Sequence, residues 1–141
     1  METVEDFWGV HNNVIPPSKA QNGSNYRMFK DEIEPKWEDE NNKKGGAIIV
    51  KANTSKNSRE LDDRWMHLQL ACIGENYTDG EAICGVNVSI RAKNSRLEIW
   101  TRNSEDDEVN KRIAQETKDF LEMGSEQVSF KAHYDSHAWT L

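Results

Sequence analysis

The chain has 141 residues, of which 35% are hydrophobic and 30% charged, and its 18 Lys and Arg against 25 Asp and Glu give a formal net charge of −7. That length supports one domain with a real core but not two. The acidic balance excludes a general nucleic-acid coat, though not a local basic pocket, and a longest aliphatic run of only Ala47–Val50 leaves no signal peptide or membrane span to expect.

Thr3 opens the first expected helix: its hydroxyl can cap, Asp6 completes a capping-box spacing, and Val4, Phe7 and Trp8 fall at i, i+3, i+4. The pattern fades into the Asn12–Pro17 turn, and Tyr26–Phe29 reads as a short strand. Between that strand and the next lies IEPKWEDENNKKGG, with Trp37 set in a polar loop. Two readings stand there: an aromatic folded back to anchor the loop, or an indole face kept open for a flat ligand with Glu38 beside it.

Ala47–Ala52 is the second expected strand, followed by a polar turn over Asn53–Ser58. A longer helix is expected over about 59–75, because Leu61, Trp65, Leu68 and Cys72 form an i, i+4, i+7, i+11 row and Gly74 marks its end. In GVNVSIRAK, Val86, Val88, Ile90 and Ala92 alternate with Asn87, Ser89, Arg91 and Lys93; in RLEIWTR, Leu97, Ile99 and Thr101 alternate with Arg96, Glu98, Trp100 and Arg102. That is strand period, and Asn94-Ser95 suits a two-residue hairpin loop. The loop pairs Lys93 with Arg96, Arg91 with Glu98 and Ser89 with Trp100, leaving one aliphatic face and one carrying Arg91, Lys93, Arg96, Glu98 and an exposed Trp100. Ser104 is the expected cap of a third helix running to about Met123, with Val109, Ile113 and Phe120 inward, and Gln127–Asp135 alternates again as a strand.

The basic, tryptophan-bearing face is either a solvated outer surface or a nucleotide seat, with the base stacked and phosphates paired to arginine. His133, Asp135 and His137 would share a face if the last strand continued, which is a weak metal-ligand pattern, and no metal or cofactor is expected. Cys72 and Cys84 make no CxxC pair and are too few for a disulfide framework, which points to a reducing intracellular compartment and to accidental sequons at Asn22, Asn53, Asn76 and Asn87. No P-loop, dinucleotide fingerprint or Cys–His arrangement supports an enzyme. Trp8, Leu70 and Gly74, taken alone, read as ordinary helix and core residues.

TVEDFW (3–8), FKDEIEPKWEDENNKKGG (29–46), ACIGE (71–75) and ICGVNVSIRAK with LEIWT (83–101) resemble, in order and spacing, the eukaryotic translation initiation factor 4E family, which binds the mRNA 5′ cap. The resemblance covers most of the chain and implies a single α+β domain over 1–141, a curved antiparallel sheet with three helices on its convex face. It implies that Trp37 stacks on 7-methylguanosine, Glu38 accepts from the guanine edge, and Trp100 lies against the N7-methyl group. Arg91, Lys93 and Arg96 are implied for the triphosphate, with Arg96 replacing the family's usual lysine. Val4, Trp8, Leu70 and Gly74 match positions that receive helical peptides of 4G-type scaffolds and 4E-binding repressors, which replaces the core reading of Trp8.

The same resemblance implies an N-terminally truncated domain, lacking the hairpin that carries a second stacking tryptophan and the last C-terminal strand. Ala47 stands where a basic residue often follows the double glycine, and His67 where a glutamate is common. The expected function is binding of capped mRNA and its recruitment to a 4G-type scaffold, with no enzymatic step, DNA or membrane. The alternative is a regulator or decoy that binds caps weakly and acts through the helical surface.

Overall fold

In a computed structural model of the chain, the residues described are 17, 23–30, 33, 35, 36, 38–40, 42–53, 58–91, 94–123, 128–134 and 136–141. Their strands are β1 (Asn25–Phe29), β2 (Gly46–Asn53), β3 (Ile83–Ser89), β4 (Asn94–Thr101), β5 (Ser129–Ala132) and β6 (Ala138–Thr140), with helices α1 (Ser58–Ile73) and α2 (Asp107–Phe120) between them. They form one antiparallel six-stranded sheet in the order β1-β3-β4-β2-β5-β6. The architecture is the α+β class expected, with two helices among the described residues. The expected helix at Thr3, with Val4 and Trp8, lies outside them.

Alternation divides the sheet into two faces. Ile48, Val50, Val86, Val88, Leu97, Ile99 and Phe130 face Leu61, Trp65 and Leu68 of α1 and Ile113 and Ala114 of α2, forming the main core. Burying each large aliphatic contributes about 1.5–3 kcal/mol before the entropy of ordering it is set against it. The opposite face carries a smaller apolar cluster of Ile33, Ala47, Cys84 and Trp100, with Phe29 and Ile49 packed on it.

The helix ends differ in detail from the sequence expectation. At the end of α1, Glu75 rather than Gly74 adopts the left-handed conformation, with φ 55°. Asn76 N–H reaches the Ala71 carbonyl at 3.0 Å and Glu75 N–H that of Cys72 at 3.3 Å, which satisfies carbonyls that the helix leaves open. The cap of α2 is Asp106, not Ser104: its carboxylate accepts from Val109 N–H at 3.3 Å. The helix stops at Phe120, short of Met123.

The β3–β4 register is also corrected. Ser89 pairs with Arg96, Asn87 with Glu98 and Gly85 with Trp100, so Asn94 and Ser95 belong to β4 and the turn falls before them. Two local interactions set this. Ile90 exchanges backbone hydrogen bonds of 2.8 Å with Gly23 and Ser24. Ser95 Oγ accepts from Arg91 N–H at 3.0 Å and donates to the Arg91 carbonyl at 3.3 Å. Each partner moves by four residues, an even number, so every side chain keeps its expected face.

Candidate functional site

Register places three rows of side chains across the face away from the helices. The first is Phe29, Gly85, Trp100, Ala47 and Lys131; the second is Arg27, Asn87, Glu98, Ile49 and Ser129; the third is Asn25, Ser89, Arg96 and Lys51. Trp100, Glu98 and Arg96 therefore stand one above another on β4, each at the middle of a row.

Trp100 is 6% exposed, which corrects the expectation of an open indole. Phe29 meets it edge-on with ring centroids 5.2 Å apart, and His133 tilts against it at 4.6 Å. Phe29 can lie there because its partner is Gly85; a Cβ at Gly85 would come within 2.6 Å of three Phe29 ring atoms. The Trp100 indole N–H donates to Glu98 Oε1 at 3.2 Å, and Asn87 Nδ2 donates to the same oxygen at 3.1 Å. Arg96 Nη2 lies 3.2 Å from Glu98 Oε2, with nearly half of the arginine side chain exposed. Asn87 Nδ2 also donates to Ser89 Oγ at 3.1 Å, while its Oδ1 is buried without a hydrogen-bond partner among the described residues.

Arg91 lies at the β3–β4 turn and is exposed, its Nη1 donating to the Ile90 carbonyl at 2.8 Å. Lys93 and Trp37 lie outside the described residues. Glu38 is exposed on the loop between β1 and β2. That loop is fixed at one end by Ile33, which is buried in the Trp100 cluster. Its middle is held by Asn42, fully buried, whose Nδ2 donates to the Lys36 carbonyl at 2.8 Å. At the other end the double glycine runs against neighbouring backbone: a Cβ on Gly45 would enter the Thr101 carbonyl, and one on Gly46 would come within 2.9 Å of Ala132 Cα. The loop carrying Glu38 thus begins and ends beside the Trp100 row.

The face also holds cations that sequence reading did not single out. Lys51 pairs with Arg96 across β2 and β4, and Lys131 pairs with Ala47 across β2 and β5. Ile49, Lys51, Arg96 and Lys131 line a hollow of about 430 Å³ that extends toward β6. The alternation of Ala47, Ile49 and Lys51 was available as a signal, but the neighbourhood depends on strand order.

His133 and His137 take separate roles. His133 packs on Trp100, whereas His137 Nε2 lies 2.7 Å from Asp107 Oδ1 at the start of α2. Asp135 lies outside the described residues, and no metal-binding group of three acidic, His or Cys side chains occurs among those described. Burial pushes the Cys84 thiol up to about 11 and that of Cys72 up to about 12, so neither is a thiolate at neutral pH. Leu70 is half-buried and Gly74 exposed near the end of α1, on the helical side of the sheet. Among the described residues no helix is long and apolar enough to cross a membrane.

The family model for eukaryotic initiation factor 4E matches residues 1–140. A eukaryotic translation initiation factor 4E of Aplysia californica is 42% identical over 137 residues, covering 96% of this chain and 64% of its own length. The structure is similar to that of Ascaris suum eIF4E-3 with the m7G cap, with TM-score 0.92 and 42% identity over 99% of this chain and 79% of that one. Caenorhabditis elegans eIF4E-3, solved with the 4E-binding protein Mextli and a cap analog, gives TM-score 0.90 and 34% identity over 98% and 80% of the two chains. The chain spans between 52% and 64% of the length of the first curated relatives it matches.

Proposed function

The chain belongs to the eukaryotic initiation factor 4E family, and from that premise we propose that it binds the 7-methylguanosine cap of mRNA in translation initiation. The observation that carries this reading is the Arg96–Glu98–Trp100 column on the open face, an aromatic, a carboxylate and a cation in register. In the proposed complex Trp37 stacks on the base, and Glu38 accepts from the guanine N1–H and N2–H. Trp100 meets the N7-methyl group, while Arg91, Lys93 and Arg96 pair with the triphosphate.

Methylation makes the base cationic. An indole face then attracts it by about 0.5–2 kcal/mol more than van der Waals contact alone, and a carboxylate complements the same charge. Arginine supplies charge-assisted bonds to phosphate beyond the base. No covalent bond changes, so the protein is a binding module, acting in the cytoplasm and needing no cofactor. Val4, Trp8, Leu70 and Gly74 form the proposed seat for helical peptides of a 4G-type scaffold or 4E-binding repressor.

Tryptophan-fluorescence titration with 7-methyl-GTP against GTP tests the reading, and equal, negligible response to both would refute it. Glu38→Ala should reduce discrimination for the guanine edge more than phosphate attraction. The burial of Trp100 favours a second reading, a regulator that binds caps weakly and works through the peptide seat. In that case a 4G-type peptide binds the wild type but not Trp8→Ala, while 7-methyl-GTP affinity stays low.

A further inference from the structure

Glu98 is 8% exposed on a sheet face that the helices do not cover. Its row neighbours include Ile49, and an apolar side chain in its place would leave the buried Trp100 indole N–H and the Asn87 amide without their acceptor. Both carboxylate oxygens are engaged. Oε1 receives the Trp100 indole N–H and the Asn87 amide, and Oε2 receives Arg96.

We propose that Glu98 is a positioning and specificity residue, joining the base-contacting Trp100 to the phosphate-contacting Arg96 through one buried carboxylate. The inference rests on the cap-binding reading above. Three consequences follow from the geometry. A carboxylate accepting the indole N–H fixes the ring's orientation and makes it more electron-rich, which favours a cationic base over a neutral one. Its negative charge below the pocket has the same preference. It also holds Arg96 back from phosphate until a ligand offers a stronger anion, and Arg96 is exposed enough to make that exchange.

A residue that merely supports the fold would weaken every ligand alike. Glu98 as proposed acts in opposite directions on the two ends of the ligand. Removing its charge weakens preference for the methylated base while releasing Arg96 to phosphate.

The test is Glu98→Gln in the full chain, titrated with 7-methyl-GTP and GTP. The indole N–H resonance of Trp100 is followed by NMR without ligand. The expected result is a fall of about threefold or more in the 7-methyl-GTP to GTP affinity ratio. GTP affinity should be unchanged or higher, and the indole resonance should shift. An equal loss for both ligands, or an unmoved ratio, overturns the proposal. Wild-type protein that binds neither ligand refutes the cap reading itself, and this inference with it; a selective wild type with an unchanged mutant ratio refutes only the role of Glu98. If Glu98→Gln fails to fold, Arg96→Met carries the test. It should lower GTP affinity more than 7-methylguanosine affinity and shift the Trp100 indole resonance, and an indole resonance that stays in place overturns the coupling.

Discussion

Lys131 stands directly opposite Ala47, with β5 supplying a cation at the side of a position where β2 has none. The resemblance to the 4E family leaves Ala47 in place of a common basic residue, and the facing strand restores positive charge to the same row. Lys131 is exposed, so its contribution is modest and screened by salt. On the proposed cap-binding reading, Lys131→Ala should weaken 7-methyl-GTP roughly twofold. The loss should shrink as ionic strength rises, and binding of 7-methylguanosine without phosphates should not change. Titrations at two salt concentrations check this; a loss that includes the nucleoside would place Lys131 in base contact or folding instead.

Gly85 lets Phe29 cross the sheet and meet the Trp100 ring at 5.2 Å. Gly85→Ala puts a methyl group 2.3 Å from the nearest Phe29 ring atom, so the ring or the strand must move. Overpacking of this kind costs about 1–3 kcal/mol. Urea unfolding should show that loss, together with a changed tryptophan emission in the native baseline. Unchanged stability would mean that Phe29 has another place to go.

How far the sequence could be read follows from how local each signal was. Val86, Val88, Leu97 and Ile99 share a face because alternation survives an error in register, and the four-residue slip left the Arg96–Glu98–Trp100 column intact. The slip itself depends on Ser95 closing on Arg91 and on Ile90 pairing with Gly23 and Ser24, contacts that no composition pattern announces. Lys51 beside Arg96 was unreadable because β2 and β4 are neighbours only through strand order. The burial of Trp100 depends on Phe29 and His133, which come from strands or turns far away in sequence. β6 is three residues long, too short for any period to register.

Tyr77 Oη and Thr117 Oγ1 lie 2.6 Å apart in the interior, tying the segment after α1 to α2. Burial pushes the Tyr77 hydroxyl's pKa far up, so it stays protonated throughout the working range. Thr117 Oγ1 also donates to the Ile113 carbonyl at 2.8 Å, which leaves the threonine partnered when the tyrosine hydroxyl is removed. Tyr77→Phe should therefore cost about 1 kcal/mol, the net value of one buried hydrogen bond, rather than the larger penalty of an orphaned donor. The denaturation midpoint measures it, and a loss several times greater would show that Thr117 cannot hold its remaining bond alone.

His133 packs against Trp100, and burial lowers its pKa from 6.5 to about 4. Its folded-state pKa is thus depressed, and between about pH 6.5 and 4 the unfolded chain binds the proton that the folded chain refuses. Stability from this group is complete above 6.5 and falls away as pH drops toward 4. Each pKa unit is about 1.4 kcal/mol, and solvent reaching the ring's edge reduces the total to about 1–2 kcal/mol. His133→Phe keeps an aromatic ring beside Trp100 and removes the titration. Urea midpoints at pH 7 and 4.5 should therefore differ less for the variant than for the wild type, after the carboxylates common to both are subtracted. Tryptophan fluorescence should also drop more in the wild type than in the variant as the folded protein is taken through pH 4, because a protonated imidazole quenches an adjacent indole. Parallel pH curves for the two proteins would show that His133 is protonated at no cost to the fold.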